Sequence, residues 1–300
     1  MMRSNIMDQI IHSLSNHPHL RFVKISAFGI QQDIPCAPFR GLTHLTINGH
    51  GSLDYIPAII ANSPSLFRLE VVIYRYDRHS PSHFPVLSLF CSFLEGTHSS
   101  VQKVILSGDY LSLEPSTVPA LIPHFRKLSN YRLPVGFDVP DEFWNALLDA
   151  MVFLHCVSSI PGLQLRDSFL NYPGAYRGLK EVHLRLGRIN AQGVQDEGRA
   201  RFFLRRIIPM HSWSLINILV QTEYAGCWRF DIPMLETLLL CTNLAYVGIS
   251  VDRDRARVKY NDNVITKLLN NLPQWPFLEA LNIGAAVPRS VRPFQPINLP

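Results

Sequence analysis

The sequence predicts an α/β leucine-rich-repeat solenoid, a horseshoe with parallel strands on its concave face and helices on its convex one. The first observation behind this reading is a recurring phrase: Leu, two variable residues, an aliphatic residue, one variable residue, another aliphatic residue. It stands at 42–47, 66–71, 179–184, 215–220, 244–249 and 278–283, at 101–106 with Val in the first place, and at 20–25 and 128–133 with Val23 and Tyr131 in the fourth. The second observation is that amphipathic stretches ending in turns separate the copies. Internal periodicity decides architecture before any local reading, and a phrase of this form marks one strand per stacked unit. The third is alternation: strand side chains change faces at every residue, so the aliphatic fourth and sixth places enter the core and the places between them face outward.

The copies begin roughly thirty residues apart on average, where short leucine-rich repeats run about 20 to 29, so most units have room for a helix. Between 128 and 179 the gap nearly doubles. It holds either one degenerate unit, around 152–157 or 163–165, or an inserted segment.

Taken in order, Ile6, Met7, Ile10, Ile11 and Leu14 follow helical spacing with Ser4 or Asn5 as N-cap, so residues 1–19 are expected to cap the open end of the stack. Residues 20–287 form the solenoid. Apolar faces at helical spacing recur over 54–61, 84–94, 117–125, 143–151, 202–208, 234–241 and 264–272, and prolines such as Pro64, Pro115, Pro140, Pro209 and Pro273 punctuate the junctions. Residues 288–300 carry Pro288, Pro293, Pro296 and Pro300 and read as an extended tail.

The composition bounds the class. Of 300 residues, 47% are hydrophobic and 17% charged, ample for one continuous core and too weakly charged for a disordered chain. No run reaches the about 18 uninterrupted apolar residues of a membrane span, and the start has no apolar signal segment. The five cysteines are odd in number and scattered, with no pair at metal-ligand spacing. Reduced thiols in a cytoplasmic or nuclear protein are therefore expected, with no metal and no cofactor. The net charge of +5 is spread among acidic residues and forms no stripe, so neither nucleic acid nor membrane is an expected partner.

The chain resembles the leucine-rich-repeat portion of fungal F-box proteins, which share a ribonuclease-inhibitor-like fold. Arg201-Phe202-Phe203-Leu204 leading to Ile208-Pro209-Met210-His211-Ser212-Trp213-Ser214-Leu215 is similar to that family's helix, H-x-x-S-L turn and strand. Cys227-Trp228-Arg229-Phe230 with Leu240-Cys241-Thr242-Asn243-Leu244 resembles the next unit, and 262–283 the last. The resemblance implies the substrate-recognition half of a cullin ubiquitin ligase subunit. No F-box phrase of the Leu-Pro-x-Glu type precedes Leu20, so a Skp-type adaptor is a partner only if an F-box lies upstream, and no adaptor-binding residue carries over. A repeat-only or truncated paralogue without ubiquitin-ligase coupling is the alternative.

Function in such a stack belongs to the outward strand places, which line up into a rigid surface. Lys24, Thr46, Glu70, Ile105, Arg132, His183, Leu219, Gly248 and Asn282 form the central column there. From it and its flanks, Arg68, Lys103, Arg132, His183, Arg185, Asn217 and Tyr246 are the candidate partner-binding residues. Their cations suit an acidic or phosphorylated peptide. Arg199, Arg201, Arg205 and Arg206 read as a solvated helix face, because no aromatic stacking platform accompanies them. The same holds for the alternating charges of 253–257. His79 and His83 flank Pro81 without the Glu of a zinc-protease phrase, and His17 and His19 flank Pro18; both pairs read as turns. Gly49-His50-Gly51-Ser52 lacks the Lys-Ser/Thr ending of a phosphate loop. With no Gly-x-Ser-x-Gly elbow either, no catalytic residue is assigned, and a hydrolase with a loop-rim site is the remaining enzymatic alternative. The expected function is a non-enzymatic protein-protein interaction scaffold.

Overall fold

The computed structural model describes residues 9, 12–14, 17, 19–27, 39–49, 56–73, 103–108, 111–112, 115–125, 130–132, 137–159, 165–187, 194–252 and 263–287. Contacts gather the chain into two compact units, Met1–Leu154 and His155–Pro300.

In the first unit, β1 (Phe22–Ala27), β2 (His44–Gly49), β3 (Arg68–Ile73), β4 (Lys103–Gly108) and β6 (Asn130–Arg132) pair in that order as a five-stranded sheet. Every ladder is parallel, with Phe22, His44, Arg68, Lys103 and Asn130 in one row. β5 (Leu111–Ser112) and β7 (Phe137–Asp138) form a separate parallel pair. The described helices are short: α1 (Ile56–Ala61), α2 (Val118–Phe125) and α3 (Asp141–Asp149). Val23, Leu45, Ile47, Leu69, Ile59 and Ile60 are buried. Each such side chain contributes about 1.5–3 kcal/mol relative to exposure. α3 stops on Met151, which takes φ 53°, while its N–H donates to Leu148 O at 2.9 Å and Val152 N donates to Leu147 O at 2.9 Å. This is the hydrogen-bond pattern of a left-handed helix stop, a position that favours glycine.

In the second unit, β8 (Cys156–Ser158), β9 (Glu181–Leu186), β10 (Asn217–Thr222), β11 (Tyr246–Asp252) and β12 (Ala280–Ala286) form another five-stranded parallel sheet, in chain order. Between the strands run α4 (Asp167–Asn171), α5 (Val194–Phe202), a π-helical segment Phe203–Ile207, α6 (Ile208–His211), α7 (Ile232–Leu238) and α8 (Val264–Asn271). Asp231 and Asn263 cap α7 and α8 by accepting from Met234 N and Ile265 N. Val157, Val182, Leu184, Ile218, Val220, Val247 and Ile249 fill the core with Phe203, Trp228 and Phe230.

The expectation of a single leucine-rich-repeat solenoid is therefore overturned. Its one continuous concave sheet is replaced by two separate five-stranded sheets, and few helices stand where a convex layer was expected. The physical reason lies at the break. β6 pairs with β4 and β8 pairs with β9, the chain between them passes through β7, α3 and the Met151 stop, and no ladder joins the two sheets among the described residues. Proline interrupts one helix from within, Pro123 in α2, whereas Pro209 and Pro233 sit in the first turns of α6 and α7, where the missing N–H has no intrahelical partner to lose. The gap between 128 and 179 contains β8, which overlaps the 152–157 place for a degenerate unit, and α4, which the repeating phrase does not predict. Of the expected N-terminal capping helix, residues 9 and 12–14 are described, as helix. Segment 84–94 and tail 288–300 lie outside the described residues.

One backbone device recurs in both sheets. The carbonyl of the second residue of one phrase, or of its equivalent His155, accepts N–H bonds from two consecutive residues of the next. Arg21 O receives Thr43 and His44, Thr43 O receives Phe67 and Arg68, and His155 O receives Lys180 and Glu181. Lys180 O receives Ile216 and Asn217, Ile216 O receives Ala245 and Tyr246, and Ala245 O receives Glu279 and Ala280, all at 2.8–3.2 Å. Each pair satisfies two donors at the start of a strand and sets its register.

Candidate functional site

Four of the candidate residues lie on the second sheet. β9 alternates, with Val182, Leu184 and Leu186 buried and Glu181, His183 and Arg185 at least partly exposed. Register then sets Glu181, Asn217, Tyr246 and Ala280 in one row and His183, Leu219, Gly248 and Asn282 in the next. The other three lie on the first sheet: Arg68 and Lys103 are register partners, and Arg132 pairs with Ile105. Arg68 donates to Glu70 at 2.8 Å. The seven residues thus divide between two sheets.

The outward rows are not uniformly open. Thr46, Leu219 and Gly248 are buried. A Cβ on Gly248 would come within 2.3 Å of Leu219 Cδ1 and 3.2 Å of the Tyr246 ring, so those two side chains lie across the space that glycine leaves. Tyr246 stays half-exposed beside Asn217, and Arg185 is exposed.

A cluster absent from the sequence reading stands at the β8–β9 edge of this face. Cys156 is the register partner of Glu181, and His183 follows two residues along the same face. The Cys156 thiol donates to Glu181 Oε2 at 3.5 Å, and His183 Nε2 lies 3.8 Å from the same oxygen. One ligand-type atom of each of the three residues lies within 4.8 Å of the others. Cys156 is fully buried, whereas His183 and Glu181 are 17% and 22% exposed. The signal in the sequence was Glu181-x-His183 within a strand phrase, which alternation places on one face. Cys156 joins them only through pairing across 25 residues.

Behind the sheet, His211 is a structural group. Its Nδ1 accepts from Leu179 N at 3.1 Å, which leaves Nε2 to donate to Pro173 O at 2.8 Å. Ser214 Oγ donates to Leu179 O at 2.8 Å. The H-x-x-S-L turn is thus a clasp on the preceding strand. Burial pushes the His211 pKa down, partly opposed by its bond to Pro173. The Tyr176 phenol, ringed by Tyr172 and His211, is pushed up by burial and stays neutral, and burial raises the Cys241 thiol to about 12.

A cleft of about 920 Å³ opens beside the π-helical segment, lined by Arg201, Arg205, Arg229, Glu197, Asp231 and Glu236 among others. Its charges are mixed, and no histidine is among the described residues that line it. Neither the protein-family models nor the curated proteins give a match to this chain.

Of the basic cluster, Arg199 pairs with Asp167 at 2.7 Å and Arg201 with Glu197 at 3.2 Å. His19 N donates to His17 Nδ1 within a turn at 3.4 Å. His79, His83, the 50–52 segment and the 253–257 charges lie outside the described residues. No helix among the described residues is long and apolar enough to cross a membrane.

Proposed function

We propose that this chain is a non-enzymatic protein-recognition module of the cytoplasm or nucleus, and that it holds its partner on the outward face of the β8–β12 sheet. The observation that carries this reading is the register that sets His183, Arg185, Asn217 and Tyr246 on neighbouring strands, on the side opposite the buried Val182, Leu184, Ile218 and Val247. A parallel sheet is ordinarily covered on both faces. Here the second face carries partly exposed polar groups and a half-exposed tyrosine on a rigid ladder. Tyr and Arg are the side chains that most often anchor protein interfaces, because each combines a large apolar area with polar ends. The resemblance to the substrate-receptor half of F-box subunits supports the same reading. Coupling to a Skp-type adaptor and a cullin ligase is its conditional part, and it requires an F-box preceding this sequence.

The test is affinity capture from cell extract on tagged full-length chain, quantified against Arg185→Glu and Tyr246→Ala variants whose melting matches the unaltered protein. Loss of an anchor costs about 2 kcal/mol, roughly thirtyfold in Kd. The expected result is that the proteins enriched by the unaltered chain fall away with both variants. Equal retention by both would sink the assignment of this face.

A further inference from the structure

We propose that Cys156, Glu181 and His183 form a binding site for a zinc-class divalent cation at the β8–β9 edge of the second sheet. The proposal stands independently of the partner reading, because it rests on donor chemistry and spacing alone. The three side chains supply one thiol, one carboxylate and one imidazole, a donor set that suits zinc and disfavours the all-oxygen preference of magnesium and calcium. Zinc takes sulfur at about 2.3 Å and nitrogen or oxygen at about 2.0–2.2 Å, so tetrahedral ligand atoms around one ion sit roughly 3.3–3.8 Å apart. For this donor set the sulfur–oxygen edge is about 3.6 Å and the nitrogen–oxygen edge about 3.4 Å, so Cys156–Glu181 at 3.5 Å already fits, while His183–Glu181 at 3.8 Å and the third pair, within 4.8 Å, draw together by side-chain rotation.

The backbone makes this spacing rigid. Cys156 and Glu181 are paired across a ladder, Glu181 N and Lys180 N both donate to His155 O, Ser159 N extends the ladder by donating to His183 O at 2.7 Å, and the Ser159 hydroxyl accepts from Arg185 N at 3.1 Å. Closing the site on an ion therefore asks for side-chain rotation and no strand movement. The charges also balance. Binding displaces the Cys156 proton to solvent, and thiolate plus carboxylate then match the two positive charges, with His183 neutral. Cys156 closes the site from within, while the partial exposure of Glu181 and His183 leaves a fourth position for water or an incoming ligand, as in zinc sites that keep one position open.

The experiment is a cobalt and zinc titration of the full chain, reduced and stripped with chelator. Cobalt is expected to give a thiolate charge-transfer band saturating at one ion per chain. Zinc should displace it, remain bound through gel filtration and raise Tm. Cys156→Ser should abolish the band, while His183→Gln and Glu181→Gln should each weaken binding by about tenfold or more. Cys227→Ser should leave it intact. Because Cys156 is buried, His183→Gln on the open side serves as the variant whose fold is checked by circular dichroism. No band and no retained zinc, or a band that survives Cys156→Ser, would overturn the site. Loss of metal with unchanged partner capture would leave the ion standing apart from recognition; loss of partner in Tyr246→Ala with intact metal binding would separate them the other way.

Discussion

The two sheets are built on the same backbone ladder and secured by different side chains. In the 1–154 unit the turn before β3 is tied by a hydroxyl and a backbone carbonyl: Ser63 Oγ accepts from Leu42 N at 3.1 Å and Asn62 O accepts from Gly41 N at 3.1 Å. In the 155–300 unit the turn before β10 is held by a buried histidine that ties two backbone groups, together with a serine that holds a third. On the outward side the first unit lines Phe22, His44 and Phe67 in a row with ring centroids 6.2 and 6.1 Å apart. The second unit places Cys156, Glu181 and His183 there. The comparison teaches that register belongs to the paired N–H groups on each carbonyl, whereas side chains at the turns and on the outer face are free to differ in stability and chemistry.

The sharpest way to break this comparison is to cut each clasp. His211→Ala removes a buried ring and orphans Leu179 N and Pro173 O, and is expected to cost about 3 kcal/mol or more, while Ser63→Ala orphans one amide and costs about 1–2 kcal/mol. Urea denaturation with hydrogen exchange resolved by segment checks both. Protection should fall in 155–300 for the first variant and in 1–154 for the second. Equal, global losses in both would contradict independent clasps.

Acid sharpens the same contrast. His211 has a folded pKa below its unfolded value of 6.5, so the fold binds its proton less readily than the unfolded chain does. Its stabilising neutral state is fully available above pH 6.5 and is lost as pH falls below it, with a slope of at most about 1.4 kcal/mol per pH unit from this group. Stability of the unaltered chain should therefore drop from pH 7 to 5 more steeply than that of His211→Gln, whose amide takes no proton. Parallel curves would remove His211 from the acid response.

The smallest effect is a gain. Met151 holds a left-handed stop that an L side chain tolerates poorly, so Met151→Gly should stabilise the 1–154 unit by about 1 kcal/mol, read as a rise in the urea midpoint. No change or a loss would show that the strain is relieved elsewhere.

Strand positions were legible because alternation leaves a trace in sequence: strands begin two residues into the phrases at Leu20, Leu42, Leu66, Leu179, Leu215, Leu244 and Leu278. The His211–Ser214 turn was legible as a motif, although its role as a hydrogen-bonding clasp was not. The break into two sheets was hidden because it depends on which strands pair with which, a long-range property that no local phrase encodes. The metal-type cluster was hidden for a related reason. Cys156 reads as a scattered thiol, and Glu181 and His183 read as outward places, until pairing makes neighbours of residues far apart in the chain. Leu219 read as an outward place as well; the missing side chain of Gly248 allows it to fold down onto the next strand and be buried.

The shared carbonyl at each strand start also decides where this chain tolerates change in length. Residues added in the connections upstream of a tied pair of amides leave every later side chain on its own face. A single residue added just downstream exchanges inside for outside along the rest of that strand. The connections are therefore the natural points at which to splice foreign loops or labels, and the residue before each strand is where such grafts must stop.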